Sequence, residues 1–286
     1  EVLRKMIWQV AEFSGVRVIT YAVMKNHFHI LVEVPAEGVR VSDRELVRRY
    51  RKLYPQPTPW QPMSAKVLEG HLAENTSQGE EIRSVLLRRM HDVSWMMRTV
   101  KHRFTVWYNR SRDRFGTVWA ERFKSVLVEG DRWALRAVAA YIDLNAVRAG
   151  LVEDPKDYRF CGYGEAMGGG RLARRGLELI DRDMEGYRQT LYGVGSSGRP
   201  GKATISRGEA VRVLEKEKGK LPIPVVLRCR VRYFTDGMIL GSAEFVESQI
   251  RKEESGGHRP RRAHLMRGAE WNGLTVATGL RKALFG

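Results

Sequence analysis

The chain has 286 residues, 43% of them hydrophobic, with a formal net charge of +17 and a pI of about 10.2. That apolar content excludes wholesale disorder, and the length suits one large domain or a main domain with a smaller companion. No apolar run approaches the roughly 18 residues of a spanning helix, and two distant cysteines, Cys161 and Cys229, exclude a CxxC metal pair or a disulfide framework.

The excess of Arg and Lys points to a polyanionic partner, nucleic acid first and an anionic membrane surface second. No membrane-spanning role is expected. Residues 1–17 have no apolar centre for a signal peptide, so a reducing cytoplasm is the expected compartment.

In chain order, Val2, Leu3, Met6, Ile7, Val10 and Ala11 recur at helical spacing, and Gly15 ends that helix. Residues 16–24 and 27–34 read as strands of a hairpin turned at Lys25-Asn26 and closed by Pro35. Ser42-Asp43-Arg44-Glu45 is a capping start for a helix to about Tyr54. Pro55, Pro57, Pro59 and Pro62 then forbid regular structure.

Residues 80–109 carry one long helical pattern, from Ile82, Val85 and Leu86 to Phe104 and Trp107. Its polar positions are basic, among them Arg98, Lys101, Arg103 and Arg110. Arg112, Arg114, Arg122 and Lys124 follow, interleaved with Trp107, Tyr108, Phe115, Trp119 and Phe123. Cations for phosphates beside rings for unstacked bases are what a single-strand binder uses. A plain solvated surface is the competing reading.

Gly116 breaks that run, and residues 117–128 read as a strand. Asp131 is an N-cap for a helix over 132–148, ended by Gly150. The glycine-rich 193–201 reads as a flexible linker. Beyond it, 206–218 reads as helix, 225–233 as extended, and 234–250 as helix broken at Gly237 and Gly241. The organisation is therefore a main domain over 1–165, a linker over 166–201 and a small, mostly helical extension over 202–286.

Four residues carry candidate chemistry. In a strand, His27 and His29 share a face, so their imidazoles can bind one metal ion, or each can be a half-buried histidine with its own hydrogen bond. Tyr141 and Asn145 lie one turn apart on one helix face. An amide oxygen is a reasonable third ligand, and three protein ligands leave positions open for a substrate oxygen. A phosphodiester there has its charge neutralised, and Tyr141 is placed to attack it as a phenolate. The competing reading makes Tyr141 a core tyrosine.

Met24-Lys25-Asn26-His27-Phe28-His29-Ile30-Leu31-Val32 resembles the His-hydrophobic-His signature of the single-tyrosine, HUH-type transposases. Tyr141-Ile142-Asp143-Leu144-Asn145-Ala146-Val147-Arg148-Ala149-Gly150-Leu151-Val152 resembles the tyrosine helix of one branch, the REP-associated tyrosine transposases. Arg103-Phe104-Thr105, Trp107-Tyr108-Asn109 and Gly116-Thr117-Val118-Trp119-Ala120-Glu121-Arg122-Phe123-Lys124-Ser125 match that branch in order, so the resemblance spans about residues 1–165. It implies an α+β fold: an antiparallel sheet flanked by helices, a ferredoxin-like nuclease core with the histidines on a central strand. It also implies Mg2+ or Mn2+ on His27, His29 and Asn145, and cleavage of single-stranded or hairpin DNA by Tyr141. The products would be a 5′-phosphotyrosine and a free 3′-hydroxyl. Arg98, Lys101, Arg103, Trp107, Arg110, Arg112, Arg114, Trp119, Arg122 and Lys124 are the expected DNA contacts.

The resemblance also covers Tyr233-Phe234-Thr235-Asp236-Gly237 and Ile239-Leu240-Gly241-Ser242, similar to the extension of longer members. Two departures stand out. The family usually begins with a further strand, whereas this chain starts at the following helix, which implies a fragment or an impaired protein. Ala146 stands where the family usually has Pro, and Ala, a good helix former, should leave the helix intact.

Overall fold

The structure is a computed structural model that describes residues 1–35, 40–59, 61–74, 76–182, 184–192, 222–227, 232–254 and 262–278. It combines helices with small sheets and divides into two compact units, Glu1–Val18 with Val32–Phe123, and Ile19–Leu31 with Lys124–Gly286. The expected helix over 206–218, the linker over 193–201 and Cys229 lie outside the described residues.

The first unit is helical. Helix α1 (Val2–Ser14) buries Leu3, Ile7, Val10, Ala11 and Phe13, the face that its spacing predicts. Gly15 ends it in the left-handed conformation, φ 67°, returning its N–H to Ala11. A side chain there would also collide with the Arg49 guanidinium, 2.0 Å from an added Cβ. Helix α2 (Asp43–Leu53) starts where the capping pattern places it, Ser42 Oγ accepting from the Glu45 N–H.

Helices α3 (Ala65–Ala73), α4 (Ser77–Leu87) and α5 (Val93–Ser111) follow, begun by Ser64, Thr76 and Asp92 as side-chain caps. Helix α1 packs on α2 and α5, α2 on α3, and α3 on α4. The single long helix expected over 80–109 is thus two. His91 takes φ 54° and gives its N–H to Ser14 O at 2.7 Å, while Asp92 opens a fresh helix through Trp95 N. Helix α3, close after the proline-rich stretch, had no strong apolar period to announce it.

Strands β1 (Arg17–Val23) and β2 (Phe28–Glu33) form the expected hairpin as a two-stranded sheet. The expected strand over 117–128 contracts to β3 (Leu127–Val128). In the second unit, helix α6 (Arg132–Asp143) begins at Asp131, whose Oδ2 accepts from the N–H groups of Trp133 and Ala134. The helix expected to reach residue 148 breaks at Leu144 and resumes as α7 (Asn145–Arg148). Helices α8 (Gly162–Met167), α9 (Arg171–Leu177) and α10 (Met184–Tyr192) complete the helical part of this unit before the extension.

Three of these elements meet at the last residue of α6. Asp143 is fully buried and its carboxylate accepts from Thr20 Oγ1 on β1 at 2.9 Å, Tyr163 N on α8 at 3.0 Å and Tyr187 Oη on α10 at 2.7 Å. Burial pushes the carboxyl up to about 6 against the pull of these donors. Gly162 keeps the approach open, since an added Cβ would lie 2.1 Å from Thr20 Oγ1.

Among its described residues the extension mixes helices with strands. Helices α11 (Ile223–Leu227), α12 (Tyr233–Asp236) and α13 (Ala243–Glu254) alternate with strands β4 (Gly237–Gly241), β5 (Ala263–Leu265) and β6 (Thr275–Thr278). With β3 they form a four-stranded sheet in the order β3-β4-β6-β5, parallel at β3–β4 and antiparallel elsewhere. The glycines that read as helix breaks bracket β4, and Ile239, Val246, Ile250 and Ala277 close a small core beneath α13. Extended structure over 225–233 gives way to helix at Ile223–Leu227.

Asp143→Ala leaves three buried donors without their acceptor and should lower the unfolding free energy by about 3 kcal/mol or more. Urea unfolding followed by tryptophan fluorescence measures it. A loss below about 1 kcal/mol would mean that water takes over the carboxylate's place.

Candidate active site and nucleic-acid surface

The two histidines, the tyrosine and the asparagine all belong to the second unit. His27 is exposed in the turn just before β2, and His29 is the second residue of that strand, half-buried. The turn closes through Met24 N to His27 O at 2.8 Å. The rings lie 5.2 Å apart, centre to centre, at 83°. His27 Nδ1 is 2.8 Å from Asn26 Oδ1. Where the amide oxygen accepts from Nδ1, Nε2 is the nitrogen of His27 with a lone pair when the ring is neutral.

His29 is held neutral. Burial, the neighbouring His27 and the Arg148 guanidinium lower its pKa to about 4. A neutral imidazole is the form that ligates metal.

The His29 ring is 6.5 Å from the Tyr141 ring at 74°, so His27, His29 and Tyr141 stand in a row of ring contacts. Tyr141, on α6, is 3% exposed. Phe234 of α12 stacks on it, with centroids 4.6 Å apart and planes 26° from parallel. The Arg148 guanidinium lies 3.8 Å from its ring centre and donates to Tyr141 O and Leu227 O, both at 2.6 Å. Phe234 in turn meets Trp271 at 6.0 Å. A guanidinium over an aromatic face is a favourable contact that helps to fix the ring plane.

Asn145 opens α7 and is 8% exposed. Its Nδ2 donates to Ile142 O at 3.0 Å and to Tyr141 O at 3.3 Å, rather than to an imidazole. With the amide hydrogens engaged on its own turn, Oδ1 is the atom left to ligate a cation. Imidazole nitrogens and an amide oxygen are donor types that suit a divalent ion of borderline character, Mn2+ better than Mg2+. Among the described residues no group of three or more His, Cys, Asp or Glu is placed to hold a metal ion.

Arg148 and Phe234 complete this site and were not expected in it. Arg148 had a signal, since seven residues from Tyr141 is two helical turns on the same face. Phe234 had none, because stacking across the chain leaves no trace in local spacing.

The expected nucleic-acid residues fall mainly on α5 and the segment after it, in the first unit. Phe104 gathers Trp107, Tyr108 and Trp119 within 5.8 Å. Trp119 Nε1 donates to Lys101 O and Thr105 Oγ1, which locks the later segment onto α5. Lys101 lies over Trp119 at 5.4 Å and Arg98 over Trp95 at 4.9 Å. Arg110, Arg112, Arg114 and Arg122 are exposed, as is Trp107 at 38%. Arg103 is set apart, half-buried 5.8 Å from the Tyr54 ring, where burial lowers its pKa. Lys124 belongs to the second unit.

No protein-family model, curated protein or solved structure matches the chain. Arg148→Ala removes the donor to two carbonyls and should cost about 2 kcal/mol of stability. Arg148→Lys should recover less than half of it, because an ammonium lacks the planar fork. Chemical denaturation of the three proteins checks this ordering.

Proposed function

We propose that the chain is a metal-dependent single-stranded DNA strand transferase of the HUH type, similar to the REP-associated tyrosine transposases. The observation that carries the reading is the row His27, His29 and Tyr141, with rings 5.2 Å and 6.5 Å apart, drawn from motifs more than a hundred residues apart. The basic, aromatic surface of α5 supports a nucleic-acid substrate. No helix among the described residues is long and apolar enough to cross a membrane.

In this reading the Tyr141 oxygen attacks phosphorus in line. The new bond is Oη–P and the broken bond is P–O3′. The phenolic proton leaves to solvent, and the departing 3′ oxygen takes up a proton. The phosphotyrosine conserves the ester bond, so a 3′-hydroxyl can reverse the step and join a strand. A bound Mn2+ or Mg2+ would polarise the phosphoryl oxygens. Arg148 holds the phenol ring, and His29, neutral, would offer its lone pair to the metal.

Tyr141 is 3% exposed and Phe234 stacks on its ring, so in this reading its cover must move before DNA reaches the hydroxyl. The same burial favours a second reading, a non-catalytic, domesticated or truncated nucleic-acid-binding relative in which Tyr141 is structural.

Incubation with a hairpin-bearing single-stranded oligonucleotide and Mn2+ separates the two. The first reading expects a denaturation-resistant adduct that EDTA prevents, Tyr141→Phe abolishes and His29→Ala reduces at least a hundredfold. An adduct formed by Tyr141→Phe would exclude Tyr141 as nucleophile. Salt-sensitive binding without any adduct would establish the second reading. Phe234→Ala should speed adduct formation severalfold in single-turnover assays, since the covering ring is gone.

A further inference from the structure

The most exposed large hydrophobic side chain described is Phe115, at 95%. Its neighbours hold it there. The backbone turns through Asp113 at φ 47° and Gly116 at φ 90°, on either side of Arg114 and Phe115. The turn is tied to the end of α5 by Arg114 N to Asn109 O at 2.9 Å and by Asn109 Nδ2 to Gly116 O at 2.9 Å. Phe115 therefore stands at the tip of an anchored turn with almost its whole ring in water.

The surroundings favour one occupant. Arg110, Arg112 and Arg114, within five residues of the ring in sequence, are exposed, and Asp113 is the one acid over residues 110–116. The guanidinium groups of Arg112 and Arg114 lie 5.7 Å and 5.9 Å from the Tyr108 ring, which orients them. Behind them, Trp107 presents a further partly exposed ring. An aromatic face between oriented cations matches an unpaired base between its two phosphates. A second copy of this chain, carrying the same +17, would bring like charge against the arginines.

We propose that Phe115 is a base-stacking residue that takes an unpaired base of single-stranded DNA, with Arg112 and Arg114 on the flanking phosphates. The proposal rests on the nucleic-acid part of the proposed function and is independent of cleavage. It adds a specific contact at a residue of the first unit.

The test uses the full chain and a fluorescein-labelled oligothymidine, read by anisotropy across a salt series. Phe115→Ala should bind about tenfold more weakly or worse, with the slope of log K against log salt unchanged, because no charge is removed. Phe115→Trp should restore affinity. Arg112→Ala and Arg114→Ala should each flatten the salt slope by about one contact. On an oligonucleotide of abasic residues, wild type and Phe115→Ala should bind alike.

Phe115 is 95% exposed, so its alanine variant should keep the wild-type melting temperature. Equal affinity of Phe115→Ala and wild type for oligothymidine would overturn the proposal, as would a loss that persists on the abasic strand. A Phe115-dependent preference for single-stranded RNA, for phosphatidylserine vesicles or for self-association would assign the ring to another partner and overturn it too. Failure of the wild type to bind oligothymidine would overturn the DNA reading as a whole. Binding with the Phe115 effect but no covalent adduct would overturn cleavage alone.

Discussion

The Asp143 carboxylate is the constraint on which the second unit depends. An acid at the C-terminus of a helix faces the negative end of the macrodipole, a poor position for it in isolation. It is kept there by three neutral donors from β1, α8 and α10. Those bonds set where α6 ends against the hairpin, and Tyr141 lies two residues before that end. The orientation of the candidate nucleophile is therefore tied to a buried polar junction rather than to the catalytic residues themselves. Such a junction is demanding, since any one missing donor leaves charge in an apolar interior.

Around Tyr141 the environment does two things at once. The Arg148 guanidinium lies over the Tyr141 ring and the His29 ring meets it at 74°. Phe234 closes the same ring from solvent. Exclusion of water strengthens every electrostatic term in such a site. Tyr141 is therefore enclosed by side chains from the hairpin, α7 and α12. The extension, which contributes Phe234, Trp271 and Leu227, belongs to the environment of the candidate site rather than to a separate appendage.

The first unit has a different logic. Its helix α5 carries the cations, and the segment after α5 folds back to lay Trp119 on Phe104 and Lys101. Arg98, Lys101, Arg112 and Arg114 lie over aromatic rings, which helps to hold these side chains against the surface. Phe115, at the end of this surface, is the ring that remained outside the cluster.

Much of this was legible in the sequence. Apolar spacing and Gly15 defined α1, the Ser42 cap defined the start of α2, and Asp131 defined that of α6, because helix ends are local events. The hairpin followed from β-rich runs around Lys25-Asn26, and the histidines and the Tyr141-Asn145 pair were candidates by spacing alone. What the tertiary structure decided were the breaks and the long-range partners. His91 splits a continuous helical pattern because its N–H finds Ser14 O. Residues 237–241 become a strand because β6 supplies the ladder that glycine-bounded Met238-Ile239-Leu240 cannot form alone. The placing of Phe234 and Arg148 on Tyr141, and of three donors on Asp143, was likewise decided only in three dimensions. Local periodicity records which face of an element is apolar, but not which distant side chain will meet it.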